Sequence, residues 1–162
     1  MIKSEDKRYY FDAAAFLKFY RDETGSIKIR RLVASASQQI LISSVTILEF
    51  VNVILKYHRK GHFKKKTTRK IIQRFRRDVS INSKTRPFTV VESSNTLLIT
   101  AKIILLQYAY YNNIESMDAL HLAVIEDLKS KFMNILFVTS DHGLISVCKK
   151  SNIDFCDPET DI

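Results

Sequence analysis

The sequence predicts an α/β fold: a mostly parallel sheet of about four to five strands with helices on both faces. Three observations carry this reading. Residues 8 to 12, Arg-Tyr-Tyr-Phe-Asp, form a short aromatic run that ends in an acid, and Ala13-Ala14-Ala15-Phe16-Leu17 opens a stretch of good helix formers. The pattern returns near the other end, where Ile-Leu-Phe-Val-Thr at 135 to 139 is followed by Ser140-Asp141 and a helical stretch from Gly143 to Lys150. Between them apolar runs and helical stretches alternate, and strands joined through helices need crossover connections, which makes the sheet parallel.

The remaining elements follow in order. Gln-Ile-Leu-Ile-Ser at 39 to 43 is a second strand-like run, leading into a helix from Val45 to about His58. A basic helix is expected from Lys64 to about Val79, a long apolar one from about Asn95 to Tyr111, and another from Ser116 to about Lys131. A last short strand, Ile153 to Cys156, stops at Asp157-Pro158. In open sheets of this type sites lie beyond the carboxyl ends of the strands, the edge on which Asp12 and Asp141 fall.

A chain of 162 residues, 46% hydrophobic, suits one domain with a continuous core, expected to run from 1 to 162. Two prolines and three glycines leave little from which to build a linker. The charged opening, Met1 to Lys7, predicts no secretory leader. The most apolar stretches are broken by Glu49, Asn52, Lys102 and Gln107, so no membrane span is expected and a cytoplasmic location follows. Cys148 and Cys156 lie in no CxxC spacing and are given no function.

Charge is segregated. The net charge is +9, yet residues 56 to 86 hold 13 Lys and Arg against a single acid, Asp78, leaving −3 on the rest. Such a basic helical segment reads as a footprint for a polyanion, nucleic acid being the usual one; a solvated helical face is the alternative.

Four acids stand out. Asp12 and Asp141 follow strands and precede helices, where capping alone would explain them, and Asp118 lies in a first helical turn, where negative charge offsets the macrodipole. Glu49 shares a three-residue spacing with Thr46 and Asn52, the only polar residues from Val45 to Leu55; that stripe faces either solvent or a cleft. Taken together, four carboxylates near one sheet edge repel unless a cation holds them, and oxygen ligands without paired His or Cys point to Mg²⁺ or Mn²⁺. A multi-carboxylate Mg²⁺ site on a basic protein is apparatus for phosphodiester hydrolysis. Thr139 and Ser140 are candidates to hydrogen-bond a carboxylate or a metal-bound water. His121, one turn after Asp118, could serve as a ligand or general acid but reads first as a packing histidine able to orient its neighbours, and His142, which could touch phosphate, reads first as a surface residue.

These segments resemble one family. RYYFDAAAFLKFYRDE at 8 to 23 is similar to the opening strand and Asp of PIN domains, and ISSVTILEF, within 40 to 57, to their second strand and Glu-bearing helix. ESMDALHLAVIE at 115 to 126 resembles their DALHLA helix, and FVTSDHGLISVCKKSNIDFCDPE, within 135 to 159, their TxD motif with its helix and closing strand. The resemblance implies a three-layer αβα fold and Mg²⁺- or Mn²⁺-dependent endonucleolytic cleavage of RNA. Asp12, Glu49, Asp118 and Asp141 match the family's acidic positions. In the implied chemistry Asp12, Asp118 and Asp141 hold the metal, directly or through water, and Glu49 orients or deprotonates the attacking water. Lys64, Lys65, Lys66, Arg69 and Lys70 would carry the RNA backbone. Many relatives are VapC-like toxins silenced by a small antitoxin protein, and homodimers are frequent. Gly143 stands where some members carry a further acid, and Glu115 near where a basic residue is often found. The competing function is a non-catalytic PIN-like RNA-binding module. A receiver or phosphotransferase domain is disfavoured by the lack of a paired Asp-Asp or a DxDxT motif.

Overall fold

A computed structural model describes residues 7–132 and 134–160; the opening segment expected not to be a leader lies largely outside them. The described elements run β1 (Arg8–Phe11), α1 (Ala13–Tyr20), α2 (Ser26–Ser35), β2 (Ile40–Ser43), α3 (Ser44–Arg59), α4 (Lys65–Val79), β3 (Phe88–Val91), α5 (Leu97–Tyr108), α6 (Ser116–Lys131), β4 (Ile135–Val138), α7 (His142–Lys150) and β5 (Phe155–Cys156). The strands form one parallel sheet in the order β3-β2-β1-β4-β5. None of the described helices is long and apolar enough to cross a membrane. Neither cysteine is in a disulfide.

Strand periodicity builds the three layers, because successive side chains leave opposite faces of a sheet. On β1, Tyr10 enters a core with residues of α5, α6 and α7, while Phe11 enters another with α1, α3 and α4. On β2, Leu41 joins the first core and Ile40 and Ile42 the second. On β4, Ile135 and Phe137 face α6, and Val138 faces the other side. The second core is a cluster of edge-to-face rings, Phe16 meeting Phe50, Phe75 and Phe88 at 4.9, 6.0 and 4.8 Å.

Two elements were not expected from sequence. Strand β3, Phe-Thr-Val-Val, is a short run behind Pro87 at the edge of the sheet, and its full register with β2 supplies the pairing that its four residues do not announce. Helix α2 begins after Gly25, whose φ of 85° is a left-handed conformation that glycine adopts without strain. Its amphipathic pattern covers only ten residues, with Ile29 fully buried. The closing strand is shorter than expected, Phe155 and Cys156 alone.

Candidate active site

Strands β1 and β4 are neighbours in the sheet, although the chain reaches β4 last but one. To one side of β1 the order proceeds to β2 and β3, to the other to β4 and β5, so the crossover direction reverses between β1 and β4. A crevice opens at the carboxyl ends of strands at such a switch point. The register Phe11↔Val138 sets the next residues, Asp12 and Thr139, side by side.

Asp12 caps α1, its Oδ1 accepting from Ala15 N–H at 2.7 Å, while its Oδ2 accepts from the Thr139 hydroxyl. The same Thr139 oxygen accepts the backbone N–H of Asp141 at 3.0 Å, and Asp141 Oδ1 caps α7 through Leu144 N–H at 2.9 Å. Thr139, fully buried, thus locks the two strand-end aspartates together. Asp12 is only 3% exposed, and loss of hydration pushes its pKa up to about 6 despite nearby His121 and the Ala15 and Thr139 hydrogen bonds.

Glu49, in the second turn of α3, is held from α6. Its Oε2 lies 3.1 Å from His121 Nε2, and His121 Nδ1 lies 2.8 Å from the Tyr10 hydroxyl. A carboxylate only accepts, so Nε2 carries the proton; in the neutral ring Nδ1 then accepts from Tyr10. Tyr10 in turn meets Ser43 Oγ at 2.9 Å, with Thr46 Oγ1 next to it, donating to Phe11 C=O at 3.0 Å. Burial raises the Tyr10 pKa, so the phenol stays protonated and able to donate. Tyr10, Ser43, Thr46 and His121 are all essentially inaccessible.

Asp118 accepts from Glu115 N–H at 2.7 Å, closing the first turn of α6. Burial first, then the charges of Asp141 and Glu49, raise its pKa. Gly143, in the first turn of α7, lets the loop that leads into α6 pass close by: a Cβ there would stand 2.0 Å from Asn113 C=O and 3.1 Å from Asp141 Oδ1. That backbone contact leaves no room for the further acid some PIN domains carry here.

The four predicted acids therefore gather at one edge as mutually repelling neighbours, Asp12 with Glu49 and Asp118 with Glu49 and Asp141. Among the described residues no three His, Cys, Asp or Glu side chains converge closely enough to hold a metal ion as they stand. The donor chemistry nonetheless suits a hard divalent cation reached partly through water: the gathered side chains offer oxygens, and the repulsion among them, which nearby His121 opposes, is of the kind that a cation relieves. Ser140 Oγ, beside Asp141, is a buried oxygen with no hydrogen-bond partner among the described residues. The Thr46, Glu49 and Asn52 stripe does not hold as one surface: Thr46 is fully buried, Glu49 half-buried and Asn52 exposed. Solvent faces Leu48, Asn52 and Leu55 instead. Tyr10 and Ser43 carried no sequence signal for the site; they enter through strand pairing.

The basic candidates lie elsewhere. Lys64, Lys65, Lys66, Arg69 and Lys70 are exposed at the start of α4, beyond the end of α3 opposite the carboxylates. His142 is exposed.

A parallel αβα sheet with acids clustered at its switch point defines a class of carboxylate-centred α/β domains. The sequence model of the PIN domain matches residues 9–150, and the chain belongs to the PIN-domain family, a family of nucleases. Solved structures of similar fold include VapC20 of Mycobacterium tuberculosis, a sarcin–ricin-loop-cleaving toxin, at 15% identity, covering 86% of this chain and 94% of that one with a TM-score of 0.61. FitAcB of Neisseria gonorrhoeae shares 13% identity over 94% of this chain and 99% of that one, TM-score 0.60. VapBC2 of Rickettsia felis, bound to promoter DNA, shares 14% over 91% and 96%, TM-score 0.59. No curated protein matches the sequence significantly.

Proposed function

We propose that this PIN-domain protein is a Mg²⁺- or Mn²⁺-dependent endoribonuclease, one domain over residues 1 to 162. The observation that carries the reading is the gathering of Asp12, Glu49, Asp118 and Asp141 at the switch point, with burial and mutual charge raising the pKa of Asp12 and Asp118. Such an arrangement is costly for an empty protein and suited to one that binds a cation.

Asp12, Asp118 and Asp141 would hold the ion. Bound there, it would neutralise phosphate charge and acidify a coordinated water. Thr139 keeps Asp12 and Asp141 in place, and Ser140 Oγ is available to a water in the same shell. Glu49, oriented by the His121 N–H, takes the proton of the attacking water. The basic face of α4, with Lys64, Lys65, Lys66, Arg69 and Lys70, carries substrate backbone.

Fold similarity to toxin–antitoxin structures supports a small antitoxin as partner, with the protein acting in the cytoplasm as the toxin of a pair. Leu98, Ile99, Ile103 and Leu106 are exposed along α5, and we propose that a second copy covers this stripe in a homodimer. The alternative, a non-catalytic RNA-binding module, makes no use of the acidic cluster.

Purified protein should cleave single-stranded RNA with Mg²⁺ or Mn²⁺ and stop in excess chelator. Asp12→Asn, Asp118→Asn and Asp141→Asn should each lose most of the rate. Undiminished cleavage in chelator would reject the metal mechanism, and RNA binding without cleavage of any RNA tested would favour the module.

A further inference from the structure

The α3–α4 turn encloses a second feature that the carboxylate site does not use. A cavity of about 280 Å³ is lined by Val53, Lys56, Tyr57, Lys60 and His62. Its shape is set locally. Gly61 adopts φ 76° and reverses the chain, so that His62 N–H returns to Tyr57 C=O at 2.9 Å and the His62 ring stands edge-on to Tyr57 at 5.7 Å. Tyr57 is backed on the protein side by the Arg21 guanidinium, 4.4 Å from its centroid, and by the Phe63 ring. Lys56, Lys60 and His62 are exposed.

The position of this cavity relative to Glu49 is informative. Glu49, Val53, Lys56 and Lys60 recur at intervals of four, three and four residues, so they share one stripe of α3. From Glu49 to Tyr57 the helix rises about 12 Å. A strand advancing about 3.4 Å per stacked nucleotide covers that in about four nucleotides. The cations in the last turn of α3 also complement the helix dipole, but a dipole calls for neither a concave surface nor a braced aromatic wall. A row of cations beside an aromatic platform is the combination that holds single-stranded nucleic acid, phosphate on the former and a base on the latter.

We propose that this cavity is a single-stranded RNA subsite separate from the carboxylate centre, taking one unstacked base against His62 and Tyr57 and the flanking phosphates on Lys56 and Lys60. It rests on the RNA-directed reading of the protein and adds to it a path along α3 that fixes where the substrate lies. The occupant is RNA backbone and base, not an acidic protein segment, because the lining offers two aromatic rings as well as charge.

The test is fluorescence anisotropy with a labelled 12-nucleotide single-stranded RNA in EDTA, so that no cleavage intervenes, on the wild type, K56Q/K60Q and H62A. All three substituted side chains are exposed, and melting curves verify the fold. K102Q/K129Q, two exposed lysines on other helices, controls for net charge. K56Q/K60Q should flatten the slope of log K against log salt by about 1.4. H62A should weaken binding roughly tenfold on normal RNA and leave an abasic oligonucleotide unaffected. Equal affinity and slope in wild type and both variants, equal losses in the charge control, or failure of the wild type to bind RNA would each overturn the subsite. Cleavage with Mg²⁺ is followed in parallel: weakened binding in the variants without cleavage by any form sinks the nuclease reading and leaves the subsite standing, while cleavage with unchanged binding does the reverse.

Discussion

The Nε2 of His121 stands 3.1 Å from Glu49 Oε2, joining α6 to α3 across the acidic edge through a ring whose other nitrogen is anchored on Tyr10. An imidazole fixed at both ends leaves Glu49 little freedom. His121→Leu is expected to lower the cleavage rate roughly 10- to 100-fold, as loss of a supporting hydrogen bond does. His121→Gln, which can still present an N–H to Glu49, should recover part of it. RNA affinity in EDTA should be the same for both. Equal rates for the Leu and Gln variants would mean that the ring only fills space.

Asp12 makes the metal-free protein pH-sensitive. Its folded pKa of about 6 lies above the ordinary value of 3.8, so the native state binds the extra proton. The sign follows: this contribution is full below pH 4 and is lost as pH rises through 6, worth about 3 kcal/mol in all. Thermal melts in EDTA between pH 4 and 7 should show a stability loss with rising pH that Asp12→Asn does not share. Parallel curves for the two proteins would remove Asp12 as the cause, and Mg²⁺ should shrink the wild-type loss at neutral pH.

Asp118 serves both as a cap and as a charge, and two substitutions separate these roles. Asn keeps an oxygen for Glu115 N–H and removes the repulsion with Asp141 and Glu49, so the metal-free melting temperature should hold or rise. Ala loses the cap and should cost about 1 kcal/mol. Mg²⁺ should stabilise the wild type more than either variant. Equal metal stabilisation of all three would take Asp118 out of the ion's surroundings.

Gly143→Ala places a methyl within 2.0 Å of Asn113 C=O, which backbone cannot yield without moving the start of α6 or α7. A loss of about 1 to 3 kcal/mol is expected, with cleavage falling further than RNA binding because Asp118 and Asp141 are displaced relative to each other. A variant as stable and active as the wild type would show that the contact between α7 and the Asn113 loop relaxes freely.

The alternation of short apolar runs with helical stretches was enough to read a parallel α/β fold, and the acids at strand ends were enough to mark its carboxyl edge. Both are local properties: hydrophobic period decides helix or strand, and a strand followed by Asp and a helix former announces a cap. The PIN motifs then named all four acids. Sequence spacing could not decide which partner each acid would have. Helix α2 and strand β3 are not legible in the sequence because ten residues of amphipathic helix and four of edge strand carry too little pattern, and their neighbours supply the rest. Thr139 touches Asp12 only because β1 and β4, more than a hundred residues apart, pair in register. His121 reaches Glu49 only because α3 and α6 meet above the sheet edge, with Tyr10 rising from β1 between them. The raised pKa of Asp12 comes from burial, which belongs to the packed molecule and to no segment of the chain. Residue type and period are written locally, whereas pairing register, desolvation and the repulsion among the acids arise only when distant segments share a small volume.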